Sequence, residues 1–226
     1  MLTPEYLIVT LVDPLHFVIG VGPLAVYLLL IGILNYSKRP FLTTGGRDAT
    51  ALGVAISGLI IAGPMELFMP PAAADRFAGW VWILLLMFYG LCVSLFILLM
   101  RPRLVIYNIS MDQLRPLLME AVQEIDKESR WAGDSLTVPN LGIQLHVEPS
   151  ILRNVQLVSS GPKQSLDGWL KLEEKLTETL KPVRSSRNPI GLGMMILAGL
   201  IGLTGAIWML SSPQSVAQSL SEMLRM

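Results

Sequence analysis

The sequence predicts an α-helical integral membrane protein. It has four transmembrane helices and a small cytoplasmic α/β domain, of order β-α-β-β-β-α, inserted between helices 3 and 4. Three observations predict this. The apolar residues gather into four long runs, the stretch between the third and fourth runs turns water-soluble and periodic, and the basic residues near run ends fall on alternate connections. Hydrophobic residues make up 52% of the 226 and charged residues only 15%, against roughly 25% in ordinary soluble domains.

A helix needs about 20 mostly apolar residues to cross a hydrocarbon core of roughly 30 Å. Lipid offers an unpaired backbone no partner, so each qualifying run is expected to be helical. The first is PLHFVIGVGPLAVYLLLIGILNY, residues 14–36. The second is TALGVAISGLIIAGPMELFM, residues 50–69. The third, GWVWILLLMFYGLCVSLFILLM, covers residues 79–100, and the fourth, NPIGLGMMILAGLIGLTGAIWML, opens a helix over 188–211. The first run has no positive n-region, follows Glu5 and Asp13, and is too long for a signal-peptide core, so it is expected to be a retained span. Residues 1–103 thus form a three-helix transmembrane region, 104–187 the domain, and 212–226 an amphipathic tail at the outer face.

Basic residues near span ends set the orientation. Lys38, Arg39 and Arg47 lie between the first two runs, Arg101 and Arg103 follow the third, and Lys181, Arg184 and Arg187 precede the fourth. The opening segment has neither Lys nor Arg, and the second connection has only Arg76. The expected topology places both termini outside and residues 101–187 in the cytoplasm, in a plasma (inner) membrane. Trp80, Trp82 and Trp208 then fall at the outer boundary, where aromatic belts sit.

Within the domain, LVIYNI (104–109) reads as a strand. Ser110 with Gln113 makes a capping box, and Leu114, Leu117, Leu118, Ala121, Val122 and Ile125 give the next helix one apolar face. Pro116 is a flaw in that helix. DSLTVPNLGIQLHVEPS reads as two strands around a PNLG turn, RNVQLVSS as a third, and the stripe Trp169, Leu172, Leu176, Leu180 as a closing helix between Ser165 and Pro182.

The chemistry-bearing residues are few. Glu66 lies about 24 Å along the second run, and His16 sits at the outer end of the first. An intramembrane Glu66–His16 pair would serve a proton- or cation-coupled transport component, whereas a boundary carboxylate reaching water or Arg76 needs no function. Thr44, Gly45, Gly46 and Arg47, in TTGGRDA, form a possible anion or headgroup loop at a helix start, without the P-loop or dinucleotide spacing. Gly58 and Ala62 in the second run, and Ala198, Gly202 and Ala206 in the fourth, are small residues at packing intervals.

His146, between Gln144 and Glu148 on a wet strand face, has no nucleophile or metal partner visible in sequence. The one cysteine, Cys92, excludes an internal disulfide. No catalytic residue, metal site or cofactor is expected, and zero net charge gives no electrostatic reason for a nucleic-acid partner. The expected partners are the lipid bilayer and a protein bound through residues 104–187. The leading expectation is therefore a non-enzymatic scaffold or assembly protein. Transport through Glu66 and His16 is the alternative, and an enzyme acting on lipid or envelope precursors the third.

Overall fold

The computed structural model describes residues 13–65, 80–150, 153–162 and 164–225. Among the described residues three helices are long and apolar enough to cross a membrane: α1 (Pro14–Tyr36), α3 (Trp80–Leu99) and α6 (Pro189–Ser211). The second predicted run is described as α2 (Gly45–Ile60), which continues as a π turn (Ile61–Met65) containing Pro64. Proline has no N–H to donate and its ring crowds the preceding turn, so the wider π geometry there absorbs it. Pro23 is accommodated inside α1. A further helix, α7 (Pro213–Arg225), follows α6.

The chain divides into two compact units. One comprises residues 1–29, 50–96 and 195–226. Its helices meet through glycines. A Cβ on Gly58 would lie 2.0 Å from the Ile19 carbonyl oxygen, and one on Gly53 3.0 Å from Val93. Hydrogen at both positions lets α2 approach α1 on one side and α3 on the other, as apolar helices do when dispersion rather than water drives their association. The Tyr89 hydroxyl donates to the Gly53 carbonyl at 2.6 Å, which satisfies a polar group on α3. On α6, Gly205 lies against Val18 and Phe17, and the Phe17 and Trp208 rings stand 5.7 Å apart.

The other unit comprises residues 30–49 and 97–194 and holds a six-stranded antiparallel sheet, order β1-β2-β6-β5-β4-β3. The strands are β1 (Phe41–Thr44), β2 (Arg103–Tyr107), β3 (Arg130–Ala132), β4 (Ser135–Val138), β5 (Ile143–Ser150) and β6 (Asn154–Ser159). Helices α4 (Met111–Ile125) and α5 (Leu166–Leu180) complete it. Two strands exceed the expected count. β3 is three residues without alternation, and it pairs with β4 through a two-residue turn in which Gly133 supplies a φ of 64°. β1 comes from the connection between α1 and α2 and pairs with β2 from Phe41↔Tyr107 to Thr44↔Leu104.

The core lies on one sheet face. Leu104, Ile106, Leu136, Leu145, Val147 and Leu157 meet Leu114, Leu118 and Val122 of α4 and Trp169, Leu172 and Leu176 of α5. Each fully buried leucine contributes about 1.5–3 kcal/mol, an upper estimate because unfolded chains already bury some of that surface. Both helices carry an apolar stripe of period 3.6, and each stripe is the buried face. Pro116 sits inside α4 without ending it. Ser165 caps α5 by accepting a hydrogen bond from the Gly168 N–H at 3.1 Å.

One side-chain and two backbone hydrogen bonds tie the end of α1 and the segment after it to the end of β2 and to the segment before α6 within the same unit. The Asn108 amide donates to the Ser37 carbonyl at 2.6 Å, the Ser185 N–H to the Lys38 carbonyl at 2.9 Å, and the Asn188 N–H to the Asn35 carbonyl at 3.4 Å. Asn108 also holds a left-handed backbone, φ 59°, a conformation that asparagine tolerates better than most residues.

Candidate functional site

Glu66 lies outside the described residues, as do Arg76 and the end of the second predicted run. Its proposed partner His16 has its Nδ1 3.2 Å from the Asp13 carboxylate, one helical turn away. The small residues of the second run do meet α1: Gly58 against Ile19, and Ala62 with its Cβ 3.6 Å from the position a Gly20 Cβ would take. In the fourth run Ala198 is buried, but Gly202 and Ala206 are exposed. The buried small positions of α6 are instead Gly191, Ala198 and Gly205, seven residues apart. A seven-residue interval keeps one face toward a neighbour over several turns, whereas a four-residue interval drifts around the helix.

TTGGRDA turns out to join a strand directly to a helix. Thr44 ends β1 and caps α2, its Oγ1 accepting from the Arg47 N–H at 3.3 Å. The glycines answer to close neighbours. A Cβ on Gly45 would fall 2.2 Å from Cγ of Arg103, and one on Gly46 3.4 Å from Ile97. Arg47 pairs with Glu173 of α5 at 2.9 Å. Asp48, one residue on, accepts a short hydrogen bond from the Tyr107 hydroxyl and lies 3.8 Å from Arg103, whose guanidinium also reaches Gln156 at 3.4 Å. The first turn of α2 therefore covers the second face of the sheet at its β1–β2 end, where Val105 and Tyr107 are buried.

Beside this junction opens a cavity of about 310 Å³, lined by Thr44 and Gly46, by Ile97 and Leu98 from the end of α3, by Arg101 and Arg103, and by Leu166, Trp169, Leu170 and Glu173 of α5. The wall from α3 and α5 is apolar apart from Glu173, which pairs with Arg47, and Arg101 and Arg103 supply the cations. TTGGRDA supplies one wall through Thr44 and Gly46, and the other two walls come from distant segments that no sequence pattern joined to it.

Toward β3 the second sheet face stays open and polar. Gln144 and Glu148 are exposed there, with His146, Ser135 and Thr137 half-buried beside them. The register opposes Ser135 to His146, and the Ser135 hydroxyl lies 3.1 Å from His146 Nδ1. A hydroxyl beside an imidazole is the start of a nucleophile–base arrangement. Among the described residues no carboxylate bonds the ring to orient it, and neither residue lines the cavity. Sequence could not pair them, since the partner depends on the β4–β5 register. Between α4 and α5, Glu124 accepts a hydrogen bond from Lys175 and raises the lysine above its ordinary value of about 10.5. Among the described residues no three His, Cys, Asp or Glu side chains converge as they would around a metal.

Compared with known proteins, the chain matches no protein-family model, no curated protein and no solved structure.

Proposed function

We propose that this protein is a non-catalytic membrane platform, whose α/β module binds another protein or helps to assemble a membrane complex. The observation that carries the reading is the one-sided core. Both helices pack on one face of the sheet, and the other face presents Gln144, Glu148, Ser135 and Thr137 to solvent beside the short edge strand β3. Antiparallel sheets can leave one face wet, and an open face next to an unpaired edge is a surface onto which a partner strand or helix docks.

In this reading the chain crosses a plasma membrane four times, α2 belonging to the second span. Both termini lie outside and residues 101–187 in the cytoplasm. The support is that Lys38, Arg39, Arg47, Arg101, Arg103, Lys181, Arg184 and Arg187 all belong to one unit, as the positive-inside tendency asks.

The test is photo-crosslinking in intact cells, with benzoylphenylalanine in place of Glu148 on the open face or Glu120 on the helical side. The expected result is a discrete protein adduct from position 148 and none from 120. Absence of any protein adduct at 148 and at 144 would overturn the reading.

A further inference from the structure

We propose that the cavity at the C-terminal end of α3 is a phospholipid site: Arg101 binds the phosphate of an anionic glycerophospholipid, and Leu166 and Leu170 of α5 lie against its acyl region. The proposal does not depend on the platform reading.

The walls argue for a lipid. Ile97 and Leu98 belong to a helix long and apolar enough to cross a membrane, and Leu98 is 82% exposed. Across the cavity, Leu166 and Leu170 stand one turn apart on α5 and are 73% and 58% exposed, outside the stripe that packs the core. Singly exposed leucines are ordinary. Here three line one cavity together with Trp169 and with Ile97 from the end of α3.

The charge argues for a phosphate. Arg47 is paired with Glu173, and Arg103 with Asp48 and Gln156. Arg101 is exposed, and among the described residues it makes no hydrogen bond or ion pair. It follows the end of α3 by two residues, the depth of the headgroups. A guanidinium presents paired donors that match a phosphate. At about 310 Å³ the cavity admits a phosphate and glycerol, with the acyl chains left to run along the leucines. Free phosphate would leave the apolar wall in water.

The experiment places a nitroxide at position 166 of the full chain (Leu166→Cys, with Cys92→Ser), with Glu178→Cys as the control, since Glu178 lines a different groove. Oxygen and nickel-chelate accessibilities are read in vesicles of phosphatidylglycerol and of phosphatidylcholine. The expected result is a label at 166 several-fold more protected from nickel than the control in phosphatidylglycerol, with less protection in phosphatidylcholine or in an Arg101→Gln variant. Arg101 is exposed, so that variant keeps its fold. A label at 166 as nickel-accessible as the control overturns the proposal. So does protection unaffected by Arg101→Gln, or protection that inorganic phosphate produces in detergent without lipid. Protection that grows with protein-to-lipid ratio would assign the surface to a second copy of the chain and also overturn it.

Discussion

Asp126 shows how much one side chain can organise. It ends α4 and is 1% exposed. Its carboxylate accepts from the Glu128 N–H at 2.9 Å, the Asn140 N–H at 2.8 Å and the Asn140 amide at 2.7 Å. The end of one helix is thus bound to the turn between β4 and β5, fourteen residues away. Hydrogen bonds to an ionised group are worth more than neutral ones, and removal of the acceptor leaves buried donors unmet. Asp126→Ala is expected to cost about 2–3 kcal/mol, read as a lower denaturant midpoint at unchanged slope. Asp126→Asn, which keeps one acceptor oxygen, should lose less. Nothing local in DKES marks this aspartate as different from its exposed neighbours, because what singles it out is Asn140.

Among the elements, β1 was hidden and the helices were not. The stripes on α4 and α5 are legible because 3.6-residue periodicity is a property of the segment alone. β1 is four residues long and runs straight into α2, so TTGGRDA resembles a helix-capping loop or a ligand cradle. Its strand character comes from Leu104 to Tyr107, sixty or more residues on. Leu42 packs against the core from this strand. A Leu42→Asp variant sets a carboxylate against the apolar core from a partly buried position and is expected to lose about 2 kcal/mol, with faster tryptic cleavage after Lys38. Cleavage at the native rate would show that β1 adds nothing to the sheet. The glycine contacts of α2 follow the same logic. Gly58 stood out as a small residue, but that it meets the Ile19 carbonyl is a fact about α1.

For the whole molecule, net charge is zero yet basic residues are unevenly placed. Membrane orientation responds to that placement and not to the total. Protease added to inverted membrane vesicles is expected to cut within residues 104–187, and to spare that segment in sealed right-side-out vesicles. Cleavage in right-side-out vesicles would reverse the proposed topology. Extraction of the chain by alkaline carbonate would remove the membrane premise altogether, against three helices whose length and composition suit a bilayer.

Some of this protein could be known from the order of its residues. The apolar runs, the amphipathic stripes, the PNLG turn and the uneven basic residues are one-dimensional features, and bilayer thickness or helical pitch converts them directly into structure. Tertiary structure alone decided that β1 joins the sheet, that α6 buries Gly191, Ala198 and Gly205 instead of a four-residue stripe, that Ser135 faces His146, and that Arg101 borders a cavity walled by α3 and α5. Each of these depends on which distant segment arrives as neighbour. That choice comes from the packing of all faces together, and no single stretch of chain encodes it.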